Sequence, residues 1–166
     1  KQLYRNTFSN FTETKIVTIP ESLNYCTQYT FEGLKKIEKV NYNAINLMPF
    51  YNNNYAIFES ESDMEINIGK NVEYIPIYFF KGCKTKSVVI PDSVKTIGDY
   101  AFAYNQKLKY VDFGNGVEVI QKGSFMNTNL QNVMLGNSIK EIGANSFSNS
   151  TLKEITIPES VEKIGK

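Results

Sequence analysis

Apolar residues recur at fixed intervals through the second half of the chain. One column has spacings of 22, 23 and 22 residues and consists of Phe80, Phe102, Phe125 and Phe147. Three further columns keep the same phase: Ile75, Ile97, Ile120, Ile142 and Ile164; Val72, Val94, Val117, Ile139 and Val161; and Ile68, Ile90, Phe113, Leu135 and Ile157. A fixed period of roughly 20 to 50 residues is typical of a solenoid, in which each unit buries its apolar face against its neighbours. The pattern predicts a stack of units of about 22 residues.

Each unit changes from a strand pattern to a turn pattern. In residues 108–113 and 152–157, apolar residues occupy the first, fourth and sixth places, and the last two alternate as in a half-exposed strand. A proline or glycine follows at once, as at Pro91 and Gly114. The segment that leads from this turn to the next strand, which we call the return, has apolar residues at spacings of three and five: Val94, Ile97 and Phe102. We therefore predict an α/β solenoid of short parallel strands with irregular or short helical returns.

The first half of the chain follows the same plan less regularly. Residues 17–23 (VTIPESL) match residues 155–161 (ITIPESV), but the pattern loosens between Leu34 and Ser62, where a looped excursion is expected over residues 49–54. We predict a single solenoid over residues 1–166, degenerate in 1–62 and regular in 63–166. Because the sequence starts at Lys1 and residues 157–166 stop inside a repeat, we expect it to be cut from a longer protein.

The units have the form L-x-x-I-x-I-P-x-S-V-x-x-I-G-x-x-A-F, which is visible in residues 90–102 (IPDSVKTIGDYAF). This form resembles the BspA-like (Treponema pallidum-type) leucine-rich repeats, closely over residues 64–166 and loosely over 14–62. The resemblance implies a leucine-rich-repeat solenoid in a surface or secreted protein that binds host matrix proteins, cell-surface proteins or other cells. At Gln121, which replaces the glycine, and at Pro76, the returns are expected to differ in shape.

Composition argues against several classes of function. The chain has no histidine, which removes Ser-His-Asp and Cys-His catalysis and histidine-based zinc sites. We therefore predict neither an enzyme nor a cofactor. Charge is balanced, with 18 basic against 17 acidic residues and a single arginine, Arg5, which argues against nucleic-acid binding. No apolar run approaches the roughly 18 to 20 residues of a membrane span, so no membrane insertion is predicted.

Two features could carry chemistry but also have structural interpretations. Cys26 takes the place of Ile97 and Cys83 that of Asn105, so both thiols are predicted to be buried in separate layers without a disulfide. Residues 59–65, from Glu59 to Glu65, gather four carboxylates and two hydroxyls, the oxygen ligands that hard cations prefer. Because the spacing is not that of a calcium loop, we interpret this segment mainly as a solvated connection, with a cation site as the alternative.

The outward strand positions predict a binding face. Two columns should line up on it: Thr18, Asn67, Val89, Asp112, Met134 and Thr156; and Ile16, Glu65, Ser87, Tyr110, Asn132 and Glu154. With layers roughly 4.8 Å apart, such a ridge would be about 30 Å long. The mixture of aromatic, flexible apolar and polar groups typical of binding surfaces occurs at Val89, Tyr110, Asp112, Asn132, Met134 and Glu154. The alternative is that these are ordinary solvated strand positions.

The predicted function is a non-enzymatic module for protein–protein interaction or adhesion at the cell surface or outside the cell. One alternative is a structural spacer that displays another domain. Another is a carbohydrate-binding surface, suggested by the 11 tyrosines of the chain. Terminal units of a solenoid expose apolar faces unless they are capped, so we also predict fraying or end-to-end self-association at residues 157–166.

Overall fold

The fold consists of short parallel strands joined by turns. The computed structural model describes residues 3, 7–48, 56–58 and 60–166, and the excursion expected over residues 49–54 lies outside them, as does Glu59. The strands of the described residues are β1 (Ile16–Ile19), β2 (Lys39–Tyr42), β3 (Glu65–Ile68), β4 (Tyr74–Ile75), β5 (Ser87–Val89), β6 (Thr96–Ile97), β7 (Tyr110–Asp112), β8 (Val119–Ile120), β9 (Asn132–Met134), β10 (Glu141–Ile142) and β11 (Lys163–Ile164).

These strands form two rows along the solenoid. The first row contains the parallel sheets β1-β2-β3 and β5-β7-β9, and β3 contacts β5 where the two sheets meet. The second row is the parallel sheet β4-β6-β8-β10-β11. Paired residues are 22 or 23 positions apart, as in Tyr110 with Asn132, except between β2 and β3, where Lys39 pairs with Glu65. The predicted stack of short parallel strands is confirmed, with a period nearer 23 residues.

Of the two predicted forms of the returns, the short helical one is wrong, and with it the α/β class, because the described residues contain no helix. The returns are irregular. Ile97 lies in a strand of the second row rather than in a helical turn. Beyond it, the backbone N–H groups of Phe102 and Tyr104 donate to the next layer, to the carbonyls of Ser124 and Met126, at 2.8 Å each. In an α-helix these groups would donate four residues back within the same segment. The return is therefore held by its neighbouring layers.

Left-handed residues explain why the return cannot be helical. In each of four returns, two residues four positions apart have positive φ: Tyr78 and Gly82, Tyr100 and Tyr104, Gly123 and Asn127, and Asn145 and Asn149. Such residues interrupt a right-handed helix, and glycine and asparagine adopt this conformation most readily. The return is thus a series of turns that is repeated from layer to layer.

A column of phenylalanine rings runs through the core between the two rows. Its members are Phe8, Phe31, Phe58, Phe80, Phe102, Phe125 and Phe147, and successive ring centroids lie 5.0 to 6.4 Å apart. The small residues that precede the ring in three layers, Ala101, Ser124 and Ser146, are buried. Each ring therefore packs between its two neighbours, and the column joins the irregular first half to the regular second half.

Both cysteines are buried and free, as predicted. Burial raises the pKa of the Cys26 thiol to about 12 and also raises the pKa of the Cys83 thiol above its ordinary value. At neutral pH both groups are therefore uncharged thiols, and the thiolate that would act as a nucleophile is scarce.

The last unit departs from the first row. Residues 152–157, which include Glu154 and Thr156, were predicted as a strand but form none. Ile155 and Ile157 are 38% and 42% exposed. The chain rejoins the stack where the Ser160 hydroxyl donates to the carbonyl of Ile139 at 2.8 Å. Residues 152–157 therefore lie off the first row, while residues 163–164 continue the second row.

Candidate functional site

Five of the six residues of the predicted binding face lie together on β5, β7 and β9. Tyr110 pairs with Asn132, and Asp112 pairs with both Val89 and Met134. Glu154 is exposed but lies outside the ladder. We call the outward surface of these three strands the β5-β7-β9 face.

This face exposes large apolar side chains. Val89, Tyr110 and Met134 are 63%, 52% and 77% exposed. Beneath them Val88 and Val111 are buried, as the alternation of side chains along a strand requires. The solvent-facing positions of three adjacent layers thus hold one aliphatic, one aromatic and one thioether side chain.

The outward surface of β1, β2 and β3 is different because its polar groups bind one another. The Asn41 amide donates to the Thr18 hydroxyl at 3.1 Å, and the Asn67 amide donates to the Asn41 side-chain oxygen at 3.1 Å. Lys39 forms an ion pair with Glu65 at 3.0 Å. Lys39 and Asn41 were absent from the columns predicted from sequence. Their contacts show that this half of the ridge satisfies its own polar groups.

Charges of opposite sign flank the β5-β7-β9 face. Exposed lysines precede its strands and the last unit, at Lys84, Lys86, Lys107, Lys109 and Lys153. Beyond β5, the Asp92 carboxylate accepts the backbone N–H of Asn115 at 2.8 Å. Within the face, at the end of β7, the Asp112 carboxylate accepts the backbone N–H of Gly114 at 3.0 Å. The exposed apolar side chains therefore lie between a basic edge and Asp92, with Asp112 among them.

The acidic segment that was considered as a cation site instead binds lysines. Asp63 forms ion pairs with Lys107 and, at 2.6 Å, with Lys86, and these two amines lower the pKa of its carboxyl group to about 2. Glu65 pairs with Lys39. Within the described ranges, no three acidic or cysteine side chains come together as a metal site. The carboxylates thus connect layers to one another.

This pairing gives a testable pH dependence. We expect nuclear magnetic resonance to find the pKa of Asp63 at about 2 and to find it raised towards its ordinary value of 3.8 in Lys107→Gln and Lys86→Gln. Because the folded-state pKa is lowered, the associated stability is present above the ordinary value and is lost as pH falls towards about 2. Lys84→Gln is the matched control, since the Lys84 amine donates to the Glu61 carbonyl instead. An ordinary Asp63 pKa in the unmodified chain would contradict the pairing.

A tyrosine cluster on the returns was not predicted. Tyr78, Tyr100 and Tyr104 have φ of 60°, 55° and 62°, whereas the next two layers place glycine or asparagine at the equivalent positions. The Tyr78 and Tyr100 rings stack at 5.2 Å, and the Lys81 amine lies 5.5 Å from the Tyr78 ring centroid and 5.1 Å from that of Tyr104. Left-handed backbone costs roughly 1 to 2 kcal/mol per residue, which ring stacking and the cation offset in part. The available signal was the 22-residue interval between Tyr78 and Tyr100.

No helix in the described part of the chain has the length and apolar character needed to cross a membrane. The two strand rows, the phenylalanine column and the repeated turns define a parallel β-solenoid built from repeats. The chain matches the family model of the BspA type leucine rich repeat region, in six copies, over residues 1–56 and 51–166. It therefore belongs to the BspA-type leucine-rich repeat family, as its repeat pattern predicted.

Two solved structures are similar to the chain. A leucine-rich repeat protein from Bacteroides ovatus is 22% identical with a TM-score of 0.56, and the match covers 98% of this chain and 49% of that one. A leucine rich cell surface protein from Faecalibacterium prausnitzii is 19% identical with a TM-score of 0.49, covering 92% of this chain and 44% of that one. The chain thus spans about half the length of either structure. No curated protein is significantly similar to it.

Proposed function

We propose that the chain is a non-enzymatic protein-interaction module of a cell-surface or secreted protein, and that the β5-β7-β9 face binds the partner. The observation that carries this proposal is the exposure of Val89, Tyr110 and Met134 in three adjacent layers. Exposed apolar surface that is rimmed by polar residues marks interaction sites when it extends over several hundred Å². Membership of a family of repeat proteins supports a scaffold that presents a surface.

The chemistry of the face suits a protein surface. Tyrosine is enriched among the residues that contribute most to binding, and methionine adapts to irregular partners because its side chain is unbranched and polarizable. A polar rim around apolar contacts is the usual arrangement of an interface, and here the rim carries lysines on one edge and Asp92 on the other, while Asp112 lies between Val89 and Met134. The partner would present an apolar patch with acidic groups opposite the lysines of this face and basic groups opposite Asp92.

Family resemblance points to host matrix proteins or cell-surface proteins as partners, and to an extracellular or cell-surface location. An interface of standard size buries about 800 Å² on each partner. The partner would therefore extend from the apolar centre onto the neighbouring strands of the first row.

Binding should depend on individual residues of the face. Against a panel of purified matrix and cell-surface proteins, we expect Tyr110→Ala and Met134→Ala each to weaken binding by more than about tenfold, because truncation of a central apolar contact costs about 2 kcal/mol. Matched controls are Tyr104→Asn and Met48→Ala, which alter an exposed tyrosine and an exposed methionine away from this face. Equal loss in the controls, or no loss in the face variants, would contradict the assignment.

The alternatives give different results in the same experiment. A glycan array run beside the protein panel would favour the carbohydrate-binding alternative if only glycans bind. A longer protein that keeps its partner after deletion of residues 1–166 would favour the spacer. If this chain bound nothing on the glycan array or on the protein panel, the adhesion proposal would be refuted.

We also propose that the chain associates end to end. The first described layers expose Phe11 and Ile16, and the last unit exposes Ile155, Ile157 and Ile164. Light scattering should show a mass that rises with concentration, and Ile157→Lys should suppress the rise by placing a charge in the apolar contact. A single monomeric mass at every concentration would contradict this proposal.

A further inference from the structure

A polar groove of about 610 Å³ lies beside β9, where the last unit separates from the first row. Its lining consists of Lys109, Asn129, Gln131, Asn132, Thr151 and Lys153. These residues supply ammonium groups, carboxamides and a hydroxyl, and the lining contains no carboxylate. The volume falls within the roughly 300 to 1,000 Å³ of small-molecule sites.

Hydrogen bonds between layers hold the walls of the groove. The Thr151 hydroxyl donates to the carbonyl of Leu130 at 2.9 Å, which fixes the point where the last unit leaves the stack. On the opposite wall, the backbone N–H of Gln131 donates to the carbonyl of Lys109 at 3.1 Å. The groove is therefore formed in the absence of a ligand, which lowers the entropic cost of binding.

The two lysines of the groove differ in their ion pairing from other lysines on the same edge. Lys86 and Lys107, on the same edge of the solenoid, are paired with Asp63. Neither Lys109 nor Lys153 forms an ion pair with any residue that the structure describes. The groove thus offers ammonium groups to an anionic ligand, and charge-assisted hydrogen bonds of this kind are about twice as strong as neutral ones.

The remaining groups favour a ligand that is rich in hydroxyls. Carboxamides both donate and accept hydrogen bonds, as sugar hydroxyls do, and Gln131 and Asn132 place two of them along the groove. The Asn129 carboxamide donates to the Gln106 carbonyl and leaves its side-chain oxygen as an acceptor. Tyr110, which is in register with Asn132, exposes an aromatic ring beside the groove on which the C–H face of a pyranose could stack. We propose that this groove binds an acidic saccharide, with a uronate carboxylate or a sulfate at Lys109 and Lys153. This site overlaps the β5-β7-β9 face at Tyr110 and Asn132, but its test rests on Lys109 and Lys153 and does not require the protein partner proposed above.

The test titrates the chain with galacturonic acid trimer at low ionic strength and follows the side-chain amide signals of the groove by nuclear magnetic resonance. We expect those signals to shift, and Lys109→Gln and Lys153→Gln each to weaken binding about tenfold, the value of one charge-assisted hydrogen bond. Lys95→Gln, an equal charge change at an exposed position beside the second row, should leave binding unchanged. A sulfated galactose trimer in a parallel arm distinguishes sulfate from carboxylate as the preferred anion.

Two comparisons can overturn the proposal. A neutral galactose trimer that binds as tightly as the acidic one would show that the lysines do not select charge. A glutamate trimer that binds equally well and is weakened by the same variants would point to an acidic peptide instead. Absence of shifts at millimolar galacturonate would remove the site. Because Lys109 and Lys153 are exposed, these variants should fold normally, which a thermal melt would verify.

Discussion

Replacement of Phe102 by alanine is expected to lower the free energy of unfolding by about 3 to 5 kcal/mol, the usual cost of deleting a fully buried phenyl ring. Phe102 has no exposed surface, and its ring stacks on Phe80 and on Phe125 at 5.3 Å each. Backbone hydrogen bonds join its layer to the neighbouring layers, such as that from the N–H of Phe102 to the carbonyl of Ser124. The layers therefore cannot move far into the cavity left by the ring, and the van der Waals contacts of the ring are not replaced.

Urea denaturation of the purified chain measures this change. Gln106→Ala alters an exposed position of the same layer and should stay within about 0.5 kcal/mol of the unmodified chain. A loss below about 1 kcal/mol for Phe102→Ala would mean that the phenylalanine column does not hold the layers together.

The second largest effect is expected for Gly116→Ala, at about 2 to 3 kcal/mol. Gly116 is buried in the turn after β7, and a Cβ atom there would overlap the backbone carbonyl of Asp92 in the preceding layer. Backbone cannot rotate away as a side chain can, so the two layers would have to separate. The hydrogen bond from Asn115 to the Asp92 carboxylate, at 2.8 Å, would be strained by the same displacement.

Asn115→Ala is the matched control, because it adds no atom against the preceding layer and leaves the donating backbone N–H in place. We expect it to change stability by no more than about 0.5 kcal/mol. If both alanine variants unfolded at the same denaturant concentration, the close contact between layers at Gly116 would be refuted.

The sequence predicted the core and most strands of the first row because both depend on columns of one residue type. Phe80, Phe102, Phe125 and Phe147 repeat with almost constant spacing, and each ring packs in its own layer. Strand alternation likewise placed Val88 and Val111 inside and Val89 and Asp112 outside. Such local periodicity reflects packing that is the same in every layer.

The sequence left both an irregular and a helical return open because spacings of three and five residues fit a short helix as well as a series of turns. What distinguishes them is the residue pair with positive φ, such as Gly123 with Asn127 and Asn145 with Asn149. In two of the layers tyrosine occupies these positions, which hides the glycine and asparagine signal. A search for glycine or asparagine at an interval of four residues would have indicated the turns.

The candidate face could be predicted only in part. Its columns followed from strand alternation. The difference between the polar surface of β1, β2 and β3 and the apolar β5-β7-β9 face depends on β2, which the sequence pattern missed because the interval from Lys39 to Glu65 is longer than the period. Thr18, Asn41 and Asn67 satisfy one another only when β2 is in place. Glu154 was misplaced for a different reason, since residues 152–157 lie off the first row and form no strand.

We propose that residues 1–166 form a single unit with one continuous stack of layers. The outward positions of its strands then share one surface, and this is the central claim. Pulsed electron resonance between spin labels at Thr18→Cys and at Val89→Cys, Asp112→Cys or Met134→Cys measures it directly. Cys26 and Cys83 are buried and have raised pKa values, so they should not take up label in the folded chain. With layers roughly 4.8 Å apart, the distance from position 18 should lengthen by about 5 Å from each of these sites to the next. Distances that do not increase in that order, or a broad distribution between the two halves, would contradict the continuous stack and the shared face.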